Sequence, residues 1–211
     1  MTDKRALIRR TIAVAATATA ALVLAACGGN NDSGSAHNGH DAGATATATA
    51  SAPAQQGENN AADTAFAKGM IPHHRQAIEM ADLAPTRAES PEVKQLADEI
   101  KKAQDPEIKT LSGWLTAWRE QVPAEGAMDH SAHGTGGMMT PEEMENLKKV
   151  SGKAFDTAFL QLMVKHHEGA VAMAKTEQAD GKYQPAKDMA GAIITSQSAE
   201  IARMNKLLGK S

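Results

Sequence analysis

Cysteine, aromatic residues and surplus positive charge are all scarce in this sequence of 211 residues. The single cysteine excludes an intrachain disulfide and a four-thiolate zinc or iron–sulfur site. Aromatic residues make up 3% of the chain, so a core must come from aliphatic side chains and 11 methionines, which argues against a large β-sandwich. The formal net charge is -3, and without a basic excess nucleic acid is not an expected partner.

The first 26 residues are typical of a bacterial lipoprotein signal peptide. Four basic residues precede an uncharged stretch at 11–26, which is shorter than the roughly 20 residues of a membrane-spanning helix. The stretch ends in Leu24-Ala25-Ala26-Cys27, which looks like a lipobox, so we predict lipidation of Cys27. A lipid there would anchor the protein to the cell membrane on its extracytoplasmic face. A lone buried cysteine is the alternative, and Arg9-Arg10 leaves general or twin-arginine export open.

Residues 27–60 consist mainly of Gly, Ala, Thr, Ser, Asn and Gln. Such a segment buries too little apolar surface to offset the loss of chain entropy on folding. We therefore predict a lipidated, disordered tether over 27–60 and one folded domain over 61–211.

An internal repeat organises the folded domain. Residues 63–118 align with 156–211 at an offset of 93 without a gap, and ten of the first nineteen positions are identical. Asp63-Thr64-Ala65-Phe66, for example, matches Asp156-Thr157-Ala158-Phe159. A repeat of this length implies that one supersecondary unit occurs twice.

Each repeat has the apolar spacing of two helices. The first is predicted over 63–83 and 156–178 with the aspartates as N-caps, and the second begins at Ser90-Pro91 or Gln184-Pro185. Thr140-Pro141-Glu142-Glu143 has capping-box spacing and predicts a short extra helix. Pro72 and Pro106 are read as kinks inside helices. The expected fold class is all-α: a four-helix bundle of two repeated α-hairpins joined by a Gly-rich crossover at 119–139.

Histidine and methionine carry the chemistry. The eight histidines form four pairs, and two of these pairs lie on the first helix of each repeat. They share a stripe about 120° wide with methionines. The candidate metal ligands on the two stripes are Met70, His73, His74, Met80, Met163, His166, His167 and Met173. Imidazole with thioether favours a soft ion, so copper, above all Cu(I), is the expected metal and silver a possible substitute. Hydrogen-bonded core histidines beside filler methionines are the alternative.

Two further sets of residues accompany the stripes. Glu107 and Glu200 are candidates for orienting a ligating imidazole, although direct ligation or a plain surface role stays open. The crossover offers a possible second metal site, because the segment is too polar and Gly-rich for core packing to explain its methionines. Its candidate ligands are Met128, His130, His133, Met138 and Met139.

Three motifs together resemble the domain of unknown function 305 family. They are Met70-Ile71-Pro72-His73-His74, the segment from Met163 to Ala170, and the segment from Gln197 to Met204. The resemblance covers about residues 60–208. It implies an exported bacterial protein with a ferritin-like helical fold, and some members of the family are linked to copper binding and tolerance. The methionine–histidine stripes carry over residue by residue, whereas the crossover cluster is a less general feature.

The sequence is compatible with three functions. The favoured one is a lipid-anchored copper-binding protein that buffers or delivers the metal, with an unidentified protein partner. The second is a structural or partner-binding domain of the cell envelope. The third is a ferritin-like redox enzyme, which is disfavoured because no histidine has Glu three residues before it. No Ser-His-Asp or Cys-His arrangement is apparent, so an enzyme is not the expectation.

Overall fold

The computed structural model of the chain describes residues 57–126 and 136–210. This part of the chain contains helices and no strand. The helices are α1 Ala61–Ala81, α2 Ala84–Arg87, α3 Pro91–Ala117, α4 Pro141–Lys149, α5 Lys153–Asp180 and α6 Gln184–Leu207. The predicted all-α class is confirmed, and α2 is an addition that the repeat did not reveal. Cys27, the signal peptide and most of the tether lie outside the described residues.

Side-chain caps fix where several helices begin. Asn60 starts α1 by accepting hydrogen bonds from the N–H groups of Ala62 and Asp63, at 2.8 and 3.0 Å. Ser90 caps α3, and Thr140 with Glu143 forms the predicted capping box of α4. Pro72 and Pro106 lie inside α1 and α3, as the sequence indicated.

The prediction that Asp63 and Asp156 are N-caps of their own helices is wrong. Asp63 stands three residues after its cap, and α5 begins at Lys153. Both carboxylates bond to the opposite repeat, and Asp63 also accepts from the Asn60 N–H at 2.6 Å in the capping box of α1. Asp63 accepts from the backbone N–H groups of Lys182 and Tyr183 at the start of α6, at 3.0 and 2.9 Å.

Asp156 does the same for the first repeat. Its oxygens accept from the N–H groups of Glu89 and Ser90 at the start of α3, at 3.1 and 2.9 Å. Each repeat therefore satisfies backbone donors where the second helix of the other repeat begins.

The four long helices form two hairpins. Helix α1 packs against α3, α5 packs against α6, and α1 and α5 contact each other between them. This is the predicted bundle of two repeated α-hairpins. None of the helices in the described part of the chain has the length and apolar character needed to cross a membrane.

The core is divided into two apolar clusters. Core A combines the end of α1 from Ala77 with the start of α5, including Phe155 and Phe159. Core B combines the start of α1, including Phe66, with the end of α5 from Ala170. The offset of 93 exchanges the two cores, since Phe66 of core B is equivalent to Phe159 of core A. The bundle therefore has pseudo-twofold symmetry, with the axis between the cores.

Candidate metal centre

A polar layer lies where the helices pass from one core to the other. On α1 and α5 it contains four histidines, His73, His74, His166 and His167, each with 0% of its surface exposed. On α3 and α6 it contains Gln104, Glu107, Gln197 and Glu200, of which the glutamines are buried. We call these eight side chains the histidine layer. Both predicted helix pairs of histidines thus meet at the centre of the bundle.

His73 and His166, which are equivalent in the repeat, lie against each other. Their ring centroids are 3.7 Å apart, with the ring planes tilted by 40°. Neither nitrogen of either ring has a hydrogen-bond partner within the described residues. Buried polar atoms are nearly always paired in proteins, so four unpaired nitrogens at one point require an explanation.

Burial keeps these two rings neutral. It lowers the pKa of His73 to about 3, and repulsion from His74 adds to the shift. The nearby carbonyl of Gly136 opposes this shift but does not meet the ring with hydrogen-bond geometry. Burial also lowers the pKa of His166 well below its usual range, with His73 as the next cause. At pH 7 each ring therefore keeps a lone pair that a proton does not occupy.

The other two histidines each contact a glutamate. His74 Nε2 lies 2.7 Å from Glu107 Oε2, and His167 Nε2 lies 2.6 Å from Glu200 Oε2. An ionised carboxylate can only accept, so Nε2–H donates to it, and in a neutral imidazole the lone pair is then on Nδ1. Both Nδ1 atoms are buried and unpaired in the described structure. Glu107 and Glu200 therefore have the contacts expected of residues that orient an imidazole, and a ligand role for the histidines stays a prediction.

Sequence reasoning left Gln104 and Gln197 out of the site. Both are buried, with Oε1 unpaired among the described residues, and each lies one turn before the glutamate of its helix. Two features of the sequence could have indicated them. Gln104 and Gln197 are equivalent positions of the repeat, and each is followed three residues later by a candidate glutamate.

The methionines do not gather around the histidines as a group. Met70, Met80 and Met163 are fully buried, but Met70 belongs to core B and the other two to core A. Met173 is partly exposed and packs on core B. Met70 and Met163 come three residues before His73 and His166, on the same face of their helices. The thioethers of Met70 and Met163 thus flank the histidine layer. That the methionines are metal ligands stays a prediction.

The end of the crossover is hydrogen-bonded to α1. The Gln76 side chain donates to the carbonyl of Met139 at 2.9 Å and accepts from its N–H at 2.7 Å. Met139 is 3% exposed and belongs to core A. The premise that packing cannot explain these methionines is therefore wrong for Met139, because Gln76 satisfies its backbone polar groups. Met138 is half-buried, and Met128, His130 and His133 lie outside the described residues.

Gly136 and Gly137 bring the crossover onto α5. A Cβ atom on Gly169 would lie 1.8 Å from the carbonyl oxygen of Gly136, a distance that no side chain tolerates. Gly137 has φ +86°, and a Cβ there would lie 2.5 Å from the Lys165 carbonyl oxygen. Glycine on both sides of this contact allows the crossover to pass beside His73.

A second buried polar pair was missed by sequence reasoning. Glu177 is 1% exposed, and neither of its oxygens meets a hydrogen-bond donor in the described structure. Burial and the neighbouring Asp63 raise the pKa of Glu177 to about 8, so the acid is protonated at pH 7. Burial opposes ionisation of Asp63, but the interaction with Glu177 and hydrogen bonds from three backbone N–H groups outweigh it and lower the pKa of Asp63. No counterpart exists in the first repeat, where the position equivalent to Glu177 is Ala84.

The side chains of the histidine layer can be compared with the ligands that metal ions require. Within residues 57–126 and 136–210 no three His, Cys, Asp or Glu side chains are arranged to hold an ion. The layer therefore lacks the closed site of a structural zinc protein. It offers buried, unpaired imidazole nitrogens, and Met70 and Met163 lie one turn before His73 and His166, a donor set that fits a soft ion of low coordination number.

The fold and the site together define the class of protein: a four-helix bundle of two hairpins that encloses imidazoles with buried, unpaired nitrogens at its centre. Residues 63–208 match the family described as Domain of unknown function (DUF305). The chain belongs to this family, as the motifs around the histidine pairs indicated.

Solved structures of similar proteins share the fold. A DUF305 protein from Streptomyces coelicolor is 35% identical with a TM-score of 0.64, and the match covers 71% of this chain and 91% of that one. A DUF305 fragment from Deinococcus radiodurans is 26% identical with a TM-score of 0.64, covering 72% and 98%. A comparison with curated proteins gave no match.

A third relative has been crystallised with metals. CopM in its Cu(I)-bound form is 35% identical to this chain with a TM-score of 0.57, and the match covers 69% of this chain and 94% of CopM. CopM has also been crystallised in Cu(II)-bound and Ag-bound forms. The family therefore includes a protein that binds copper and silver.

Proposed function

We propose that this protein binds copper at the histidine layer and buffers or delivers the metal outside the cytoplasm, contributing to copper tolerance. The observation that carries the proposal is the set of six unpaired imidazole nitrogens buried at the pseudo-twofold axis. Leaving buried polar groups unpaired costs about 1–3 kcal/mol each, and a function that uses their lone pairs explains why they are retained. The metal-bound forms of CopM support the choice of copper.

Cu(I) suits the layer better than harder ions. Imidazoles that are already neutral need not release a proton to bind, which removes one cost of metal binding at pH 7. The buried thioethers of Met70 and Met163 are neutral soft donors, which Mg²⁺ and Ca²⁺ do not favour. Silver has the same preferences and serves as a redox-inert substitute. Copper is cargo in this proposal, so the protein carries out no reaction on it.

Glu107 and Glu200 would act through the histidines they contact. By accepting from Nε2–H, each carboxylate fixes the tautomer and the orientation of its imidazole. This directs Nδ1 of His74 and His167 into the buried layer. The crossover residues Met128, His130, His133 and Met138 would form a second, weaker site that adds capacity.

Lipidation of Cys27 would hold the bundle at the membrane. The lipobox-like end of the signal peptide carries this part of the proposal, together with residues 28–56, a stretch rich in Gly, Ala, Thr, Ser and Asn. A tether of about 30 residues has a root-mean-square reach of roughly 30 Å, so the copper site would sample the space next to the membrane.

Copper titration of paired variants tests the proposal. His166→Ala with His167→Ala should remove or greatly weaken the tightest ion, whereas His130→Ala with His133→Ala should lower the stoichiometry and spare that ion. Substitution is preferable to deletion in the crossover because Met139 is part of core A. Circular dichroism checks that each variant stays helical, and Cu(I) competition with a coloured chelator gives Kd.

Two results would favour a different copper site or a different function. Normal copper affinity in the layer variant, with loss of binding in the crossover variant, would make the bundle a scaffold for a copper-binding loop. A folded wild-type protein without copper affinity would leave the structural or partner-binding envelope domain as the better proposal. That domain is the second candidate because no three His, Cys, Asp or Glu side chains of the described residues are arranged around an ion.

A further inference from the structure

A groove of about 350 Å³ runs between the first half of α1 and the second half of α5. Its rim contains the exposed residues Ala65, Ala172 and Thr176. From Gly169 to Glu177 the groove follows α5 for about 12 Å, given a rise of 1.5 Å per residue. It leads along the bundle from near the end of α5 towards the histidine layer.

The inner end of the groove lies beside His73. Gly136 and Gly169, which contact each other, form this end. The carbonyl of Gly136 also faces His73 closely enough to influence its pKa. Gly136 therefore borders both the groove and His73.

Met173 gives the groove a soft donor. Its Sδ lies 3.4 Å from the position that a Cβ atom on Gly69 would occupy, and Gly69 comes one turn before His73. Met80, its equivalent in the repeat, is fully buried in core A. Of the four predicted helix methionines, Met173 alone both lines the groove and is partly exposed.

The groove occurs on one side of the pseudo-twofold axis. The residues equivalent to Ala62 and Gly169 of the groove are Phe155 and Gln76. Phe155 is fully buried and stacks on Phe159, while Gln76 is bonded to Met139. Larger side chains thus fill the equivalent space. On the side of Met173 and Glu177, small residues leave the groove open.

We propose that this groove, which we call the access groove, is the route by which a soft monovalent cation passes between solvent and the histidine layer, with Met173 as a transient ligand. The proposal rests on metal binding at the layer, as proposed above. A thioether suits such a role because it binds Cu(I) or Ag(I) without a charge that would trap the ion. The small residues at the rim leave the donor accessible to an incoming ion.

A route and a binding site differ in what a substitution changes. A residue on the route alters the rates of loading and release by the same factor and leaves Kd unchanged. A ligand of the final site alters Kd, mainly through the release rate. Measuring both rates and Kd on the same variant therefore separates the two roles.

Ala172→Phe would fill the access groove from its exposed rim, and Ala103→Phe is the matched control, since Ala103 is exposed on α3 outside the groove. Transfer of Cu(I) to and from a coloured chelator, followed by stopped-flow absorbance, gives both rates. We expect Ala172→Phe to slow loading and release about tenfold, or about 1.4 kcal/mol in barrier, with Kd unchanged and the control like wild type. Met173→Leu should slow both rates to a smaller extent.

Three outcomes would overturn parts of this inference. Wild-type rates in Ala172→Phe, with copper binding retained, would exclude the access groove and leave the copper site standing. A raised Kd in Met173→Leu, with loading unaffected, would make Met173 a ligand of the final site and not a relay. A wild-type protein that takes up no Cu(I) would remove the proposed function itself, and the access route with it.

Discussion

Replacing the two central histidines by leucine should make the metal-free protein more stable. His73 and His166 are fully buried, and none of their four ring nitrogens has a hydrogen-bond partner in the described structure. Leucine has a similar volume and no polar atom to desolvate. If the histidines are kept for metal binding, the double variant should gain stability and lose the metal.

The size of the gain depends on pH. At pH 7 it should be about 1–3 kcal/mol, the usual cost of a buried polar group without a partner. The pKa of His73 is about 3 when folded and 6.5 in the reference state, so below pH 6.5 the unfolded chain takes up a proton that the native protein excludes. At about pH 5, which is roughly 1.5 pH units below the reference pKa of 6.5, this should add roughly 2 kcal/mol for His73. The lowered pKa of His166 contributes in the same direction.

Urea unfolding followed by far-ultraviolet circular dichroism measures these differences, provided that the slope with urea is unchanged between variants. The contrasting control is His74→Leu with His167→Leu, which removes the contacts with Glu107 and Glu200. A hydrogen bond to a charged group is worth about 1.5–3 kcal/mol, so this control should be less stable than wild type. The two double variants thus change stability in opposite directions.

The reasoning fails if His73→Leu with His166→Leu lowers stability at pH 7 and the deficit does not shrink at pH 5. That result would mean that the central histidines hold the bundle together. The structural reading of the layer would then replace the metal-binding one.

Three other predictions concern single positions. Because the pKa of Glu177 is raised to about 8, the native protein retains a proton there that the unfolded chain releases, so this side chain's contribution to stability is lost as pH rises from about 5 to 8. The stability of Glu177→Gln relative to wild type should therefore rise by about 3–5 kcal/mol across that range, whereas Glu168→Gln on the exposed face of α5 should follow wild type, and a difference between Glu177→Gln and wild type that does not change with pH would contradict the prediction. Gly169→Ala should cost about 2 kcal/mol or more in thermal unfolding because the new Cβ meets the Gly136 backbone, whereas Gly113→Ala, with open space around it, should be neutral or stabilising by up to about 1 kcal/mol. Cys27→Ser should release the protein from the membrane fraction, and a variant still firmly bound there would refute the lipid anchor.

Much of the architecture was predictable because its causes are local. The start of α3 at Pro91 and of α4 at Pro141 follows from a capping side chain and a proline at the first turn. The pairing of His74 with Glu107 was within reach because the repeat gives the same pair again at His167 and Glu200. Periodicity and repetition are both properties of the sequence alone.

The predictions that were wrong concern residues whose role depends on a partner that is distant in sequence. Asp63 followed by Thr64 has the appearance of an N-cap, but its carboxylate bonds to backbone 119 and 120 residues away. Met139 stands in a polar, Gly-rich stretch, and only the Gln76 side chain makes its burial possible. Glu177 has no counterpart in the first repeat, so the repeat could not reveal its proximity to Asp63. Such partners are found only once the helices have been packed together.

The contact between His73 and His166 has a consequence for how the two hairpins can vary. In a symmetric dimer, a residue on the twofold axis touches its own copy in the other subunit, so every substitution there appears twice. His73 and His166 are equivalent positions of the repeat, but they are separate residues of one chain, so each can be replaced alone. A single chain therefore allows the two sides of the axis to differ, as they do where Gly169 is the counterpart of Gln76.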